Sequence, residues 1–158
     1  MATSAHDNLV ALGAKWLKKQ GFAVIATEIN AVGSREQADV VAFRSTCSTI
    51  IEVKVSRADF LADTKKPERQ IGATGLGVYR FYLCPKDMIK PNDLPLKWGL
   101  LYEDGGKITE VVRPRGNIWP SYGRDEWKEW QHAPNRDAER AALFSIARRL
   151  SRSEPILK

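Results

Sequence analysis

Apolar residues recur at helical spacing near the start of the chain. Leu9, Leu12 and Trp16 stand at i, i+3 and i+7, and Val10, Gly13 and Leu17 widen the stripe. Ser4 suits the N-cap, Asp7 stands three residues on, and Gly21 suits a left-handed stop, so the pattern predicts a helix over 4–20. The period then shortens. Residues 22–28, 38–44, 49–55 and 78–84 are short apolar runs rich in β-branched and aromatic residues, and each predicts a strand. Pro85 stops the last of them.

Between the third and fourth runs, Ser56 with Asp59 predicts a short helix over 56–64, and Pro67 starts another through about residue 73. Residues 86–97 contain Pro91 and Pro95 and read as irregular, with room for one helical turn. Trp98 to Tyr102 predicts a fifth strand, turned by Asp104-Gly105-Gly106 into 107–112. Residues 113–135 hold Pro114, Pro120 and Pro134 among many aromatics and read as an ordered covering loop or short helix. Residues 136–152 predict a closing helix with Leu143, Ala147 and Leu150 on one face, beside Phe144 and Ile146. The order is helix, three strands, helix, strand, then further strands and a helix. It predicts an α/β fold with a mixed β-sheet flanked by helices, as one domain over 1–158. Its core covers about 4–112 and its extension about 113–158.

Length and composition agree with that outline. The chain has 158 residues, 43% hydrophobic and 28% charged, enough for a core without staples. No apolar run approaches the roughly 18 residues of a membrane span, and the first residues show no secretory pattern, so a cytoplasmic protein is expected. Cys47 and Cys84 form no CxxC pair and are expected as reduced thiols. His6 and His132 are the only histidines, which argues against a histidine-rich metal site or a Ser-His-Asp triad. The net charge of +6 suits a polyanionic partner, and residues 54–90 alone carry eight basic against four acidic side chains.

One constellation carries chemistry. Asp39 begins the second strand, and Glu52-Val53-Lys54 lies on the third. Glu52 and Lys54 are two apart and share a face. If the two strands form a hairpin, Asp39 lies beside Glu52, and two such carboxylates repel unless a cation joins them. Mg²⁺ prefers that oxygen setting, and the Val53 carbonyl can add a ligand. Lys54 can then hold a phosphate or orient a water. The same residues also fit plainer roles: Asp39 as a turn cap, Glu52 and Lys54 as a solvent-facing charge pattern.

The arrangement Asp39…Glu52-Val53-Lys54, following an N-terminal helix, resembles the PD-(D/E)XK nuclease superfamily. The segments 55–65, 79–83 and 98–101 look like small phage and bacterial members, and the resemblance covers roughly 6–112. It implies a restriction-endonuclease-like core (αβββαβ) with added C-terminal strands and a closing helix. It implies a Mg²⁺- or Mn²⁺-dependent deoxyribonuclease, of endonuclease type, in a bacterial or phage-infected cell. Asp39, Glu52 and Val53 would bind metal, and Asp39, Glu52 and Lys54 would be catalytic. Ala38 stands where the motif's name has proline, and the first helix lacks the glutamate of many relatives. Asp7 and Glu28 are the nearest substitutes, and Gln70 is a further candidate.

Arg57, Lys65, Lys66 and Arg69 follow the motif and are expected to grip DNA backbone, or else to form a solvated helix face. Trp119, Tyr122, Trp127 and Trp130 could stack on bases, but such clusters more often pack a loop onto a core. A homodimer is a further expectation, since two strands need two sites. The competing reading is a catalytically inactive nuclease-fold DNA-binding module in repair, packaging or phage–host interference. A protein-binding accessory factor is the third.

Overall fold

A computed structural model describes residues 4–30, 37–66, 69 and 75–153. The elements are α1 (Ala5–Lys19), β1 (Val24–Asn30), β2 (Gln37–Phe43), β3 (Ser48–Val53), α2 (Arg57–Thr64), β4 (Tyr79–Pro85), β5 (Trp98–Asp104), β6 (Lys107–Val112) and α3 (Arg136–Ser153). Short 3₁₀ turns at Pro91–Asp93 and Lys128–Trp130 interrupt the loops. The short helix expected from Pro67 and the chain end after 153 lie outside the described residues.

The six strands form one mixed sheet in sequence order. β1, β2 and β3 are antiparallel neighbours, β4 and β5 join in parallel, and β6 returns antiparallel. The parallel step from β3 to β4 needs a crossover, and α2 lies in it. Both caps read from sequence form: Ser4 Oγ accepts from the Asp7 N–H at 3.1 Å, and Ser56 Oγ from the Asp59 N–H at 3.2 Å.

Alternation along the strands divides the core into two layers. On one face Val40, Ala42, Ile51, Phe81, Leu83 and Leu101 pack under α1 through Leu9, Trp16 and Leu17. Gly13 permits this approach, because a Cβ there would meet Ile51 and Leu83 at 3.2 Å. On the other face Val41, Ile50, Tyr82 and Leu100 meet Phe60 of α2 and Ala138 and Ala142 of α3. Gly99 has no room for a side chain, since its Cβ would lie 2.4 Å from the Phe81 ring.

Two expectations need correction. Three of the larger apolar residues of α3 stay out of the core, Leu143, Phe144 and Leu150 at 39%, 64% and 61% exposed, while Ile146 packs against it partly buried. The helix instead buries its small residues, Ala138 and Ala142, which allow close approach to the sheet. The first strand starts at Val24 rather than 22, because Phe22 turns into the core from the α1–β1 connection. The aromatic segment is packing. Trp119 is buried among Trp16, Phe22, Tyr79 and Trp127, all in edge contacts at 5.0–6.3 Å. Tyr122 alone of the four is exposed. Among the described residues no helix is long and apolar enough to cross a membrane, and both cysteines are free and buried.

Candidate functional site

The strand register gathers the motif. Thr27 pairs with Val40 and Ile29 with Ala38, so Glu28 stands opposite Asp39. Val40 pairs with Ile51, and continuing that register by one residue sets Asp39 opposite Glu52. Glu52 in turn pairs with Tyr82. Three carboxylates therefore share one row across β1, β2 and β3, with neighbouring strands roughly 4.8 Å apart. The expected antiparallel β2–β3 hairpin forms, and the Val53 N–H ties Asp39 to the third strand. Glu28 has a left-handed backbone (φ 53°), uncommon for a residue with a side chain, at the position facing Asp39.

Each carboxylate has a different setting. Asp39 Oδ2 accepts the Val53 N–H at 2.8 Å, and its Oδ1 lies 3.2 Å from His6 Nε2. His6 Nδ1 is 3.7 Å from Asp7 Oδ1. One ligand atom each from His6, Asp7 and Glu28 lie within 4.8 Å of one another. The first turn of α1 thus closes over the row from the side. Val53 enters through its N–H, which fixes the Asp39 carboxylate.

Glu52 is buried, not solvent-facing, and its Oε1 lies 3.5 Å from Arg69 Nη2. Lys54 Nζ lies 3.3 Å from Asp63 Oδ1 and is itself mostly covered. Asp63, 1% exposed on α2, is the hub of this group. It receives Arg69 Nε at 2.9 Å, the Tyr82 hydroxyl at 2.5 Å and Lys66 Nζ at 3.0 Å. Burial alone would push its carboxyl up, but Arg69, the Tyr82 hydrogen bond and Lys54 outweigh that and hold it well below the usual range. Burial also pushes the Tyr82 hydroxyl up, and with Asp63 beside it the phenol stays protonated and donates. Trp98 completes the packing, stacked on Tyr82 at 4.4 Å with the Arg69 guanidinium 4.7 Å from its ring.

The basic residues expected on DNA divide. Arg69 is a correction: its side chain is fully buried between Asp63, Glu52 and Trp98 and presents nothing to a backbone outside. A guanidinium with two carboxylates and an indole face in reach gains more inside than on the surface. Arg57 is exposed but forms a two-bond pair with Asp93, at 3.0 and 3.1 Å. Lys65 is exposed, and Lys66 is half-exposed while holding Asp63. Gln70 lies outside the described residues.

Sequence reasoning missed His6 and Asp63. His6 precedes the flagged Asp7 on the helix start, so helical adjacency was the available signal. Asp63 lies one turn beyond the capping Asp59, a polar position on an apolar-facing helix. Asp7 and Glu28, named as substitutes for a first-helix glutamate, do meet beside Asp39.

No protein-family model matches the chain, and no curated protein matches it. Among solved structures, the chain is similar to SPO1766 from Silicibacter pomeroyi, a protein of unknown function. The TM-score is 0.62 at 22% identity, over 98% of this chain and 95% of that one. At that identity the likeness is one of fold: an α/β protein with a mixed six-stranded sheet.

Proposed function

We propose that the chain is a metal-dependent deoxyribonuclease with a restriction-endonuclease-like core of the PD-(D/E)XK type. The observation that carries this reading is the row Glu28–Asp39–Glu52, with Lys54 two residues on and the His6–Asp7 turn beside it. Carboxylate oxygens suit Mg²⁺ or Mn²⁺, and the imidazole beside them favours Mn²⁺ of the two. Asp39 with His6, Asp7 and Glu28 would hold such a cation, and Glu52 would close the row. A cation held there supplies Lewis-acid polarisation of a phosphate and activation of water.

The chain's own groups do the remaining work. The Val53 N–H fixes one oxygen of Asp39 and leaves the other toward His6. Lys54, steadied by Asp63, offers its ammonium to a phosphoryl oxygen or orients the attacking water. Lys65, Lys66 and Arg57 offer charge to flanking phosphates without reading sequence. The setting is the cytoplasm of a bacterial or phage-infected cell, and a second copy of the chain would serve the second strand.

A second reading, the catalytically inactive DNA-binding module, is favoured by one observation. Lys54 and Glu52 already have protein partners in Asp63 and Arg69. Both readings meet the same experiment. Wild type, Lys54→Ala and Glu52→Gln are incubated with plasmid and branched DNA in Mn²⁺, and metal affinity is measured by calorimetry. The nuclease reading expects cleavage by the wild type alone. Cleavage that survives both substitutions removes the proposed site, and DNA binding without metal affinity or cleavage selects the module.

A further inference from the structure

The opposite end of β2 and β3 carries a different chemistry. A cleft of about 400 Å³ opens between the β2–β3 turn and α3. Its α3 wall is Arg136, Glu139, Arg140 and Leu143, at i, i+3, i+4 and i+7 on one helix face. Arg44 lines the turn side, and Tyr122 stands at the rim with its ring 5.8 Å from the Arg136 guanidinium. Arg136 and Arg140 thus line one cavity from α3, while the Arg44 guanidinium turns toward the α1–β1 connection.

None of the three forms an ion pair among the described residues. Arg44 donates to the Gln20 carbonyl and lies 4.9 Å over the Phe22 ring, while its buried Nε has no hydrogen-bond partner. The one carboxylate in the cleft wall, Glu139, is hydrogen-bonded to neutral groups. It accepts from the Ser48 hydroxyl and from the Gly77 N–H at 2.9 Å, tying α3 to the sheet. Glu139 keeps its charge while it accepts from those neutral groups, so two exposed α3 cations beside one carboxylate leave a net positive charge that a bound anion relieves. Guanidiniums match phosphate oxygens with paired donors better than ammonium groups do. The volume falls in the range of small-molecule sites, and an exposed tyrosine ring beside the cations suits a base face.

We infer that this cleft binds the phosphate of a nucleotide, with Arg136 and Arg140 at the phosphate and Tyr122 against the base. The bound group is either a free nucleotide or one unit of a nucleic-acid strand. The site is independent of the metal reading, because it shares no residue with the carboxylate row.

The test is calorimetry on the full chain in EDTA, so that the metal site contributes nothing. The probes are deoxyadenosine 5′-monophosphate, deoxyadenosine, inorganic phosphate and a 5′-phosphorylated thymidine hexamer. The expected result is binding of the monophosphate but not the nucleoside, weakened about tenfold or more by Arg136→Gln with Arg140→Gln. Arg148→Gln, on the same helix outside the cleft, should leave binding unchanged. Tyr122→Ser should weaken the nucleotide and spare inorganic phosphate. Binding of the hexamer alone, with the same arginine dependence, identifies a strand as the occupant. Arg136 and Arg140 are exposed, so both variants should keep the wild-type melting curve. If the double variant unfolds, Arg140→Gln alone carries the comparison. Nucleoside binding equal to nucleotide, no binding of any probe, or affinity indifferent to the arginines overturns the inference.

Discussion

The two ends of the β2–β3 hairpin hold their charges in opposite ways. At the end with Asp39 and Glu52, acids and bases are matched within the chain. Asp63 alone meets Lys54, Lys66 and Arg69, and Arg69 also reaches Glu52. At the turn end, the exposed Arg136 and Arg140 line a cleft and form no ion pair among the described residues. Buried charge must be matched to be tolerated at all, so the first end is constrained by folding. Charge at an open cleft is tolerated in water, so the second end is free to be shaped by a ligand. The difference separates residues that hold the fold from residues that await a partner.

The sharpest way to break this contrast is Asp63→Asn. It leaves Arg69 and Lys54 around a neutral amide in a buried site. We expect a loss of about 3–5 kcal/mol in denaturant unfolding, the range for removing one member of a buried ion pair. A loss below about 1 kcal/mol would mean that solvent already screens the cluster.

Acid titration follows in size. The Asp63 carboxyl titrates lower in the folded chain than in the unfolded one. Its stabilising contribution is therefore complete above the unfolded value, near 3.9, and is lost as pH falls through the folded value. His132 acts in a higher window. Burial first, then the charge of Arg80, pushes its imidazole down to about 3, while Nε2 contacts the Lys97 carbonyl at 3.0 Å. A ring kept neutral in the fold must donate that hydrogen bond from Nε2. Stability from this group is full above the unfolded value near 6.5 and declines as pH falls from there toward about 3. Melting temperature should therefore fall between pH 6.5 and 4, and His132→Gln should flatten that part of the curve. An unchanged slope in the variant would assign the decline to other groups.

The smallest effect is expected at the turn end. Arg136→Gln should change unfolding free energy by no more than about 0.5 kcal/mol, since an exposed side chain without an ion pair adds little to folding. A marked loss of stability there would show that the arginines hold the fold, and the contrast between the two ends would fail.

Much of the architecture was legible in local pattern. Ser4 and Ser56 announced helix starts because a cap needs only residues within one turn. The apolar runs announced strands, and the short link between the second and third announced the hairpin that sets Asp39 against Glu52. The face of α3 was misread. Leu143 and Leu150 form an apolar stripe, but α3 turns Ala138, Ala142 and Ile146 to the core instead. Arg69 was misread for a related reason: a basic residue in a basic segment reads as surface until its acid partners are known.

Local pattern was enough for the order of elements, the α/β class and the antiparallel β2–β3 hairpin, because periodicity, caps and a short turn act over a few residues. It took the folded molecule to bring His6 to Asp39, Asp63 to Lys54 and Tyr82, and Arg44 to Gln20 and Phe22, and to put the β2–β3 turn and α3 on one cleft. Those partners are separated along the chain by up to about a hundred residues. What joins them is the stacking of helices on the two faces of one sheet, and no local pattern encodes which charge will then find which.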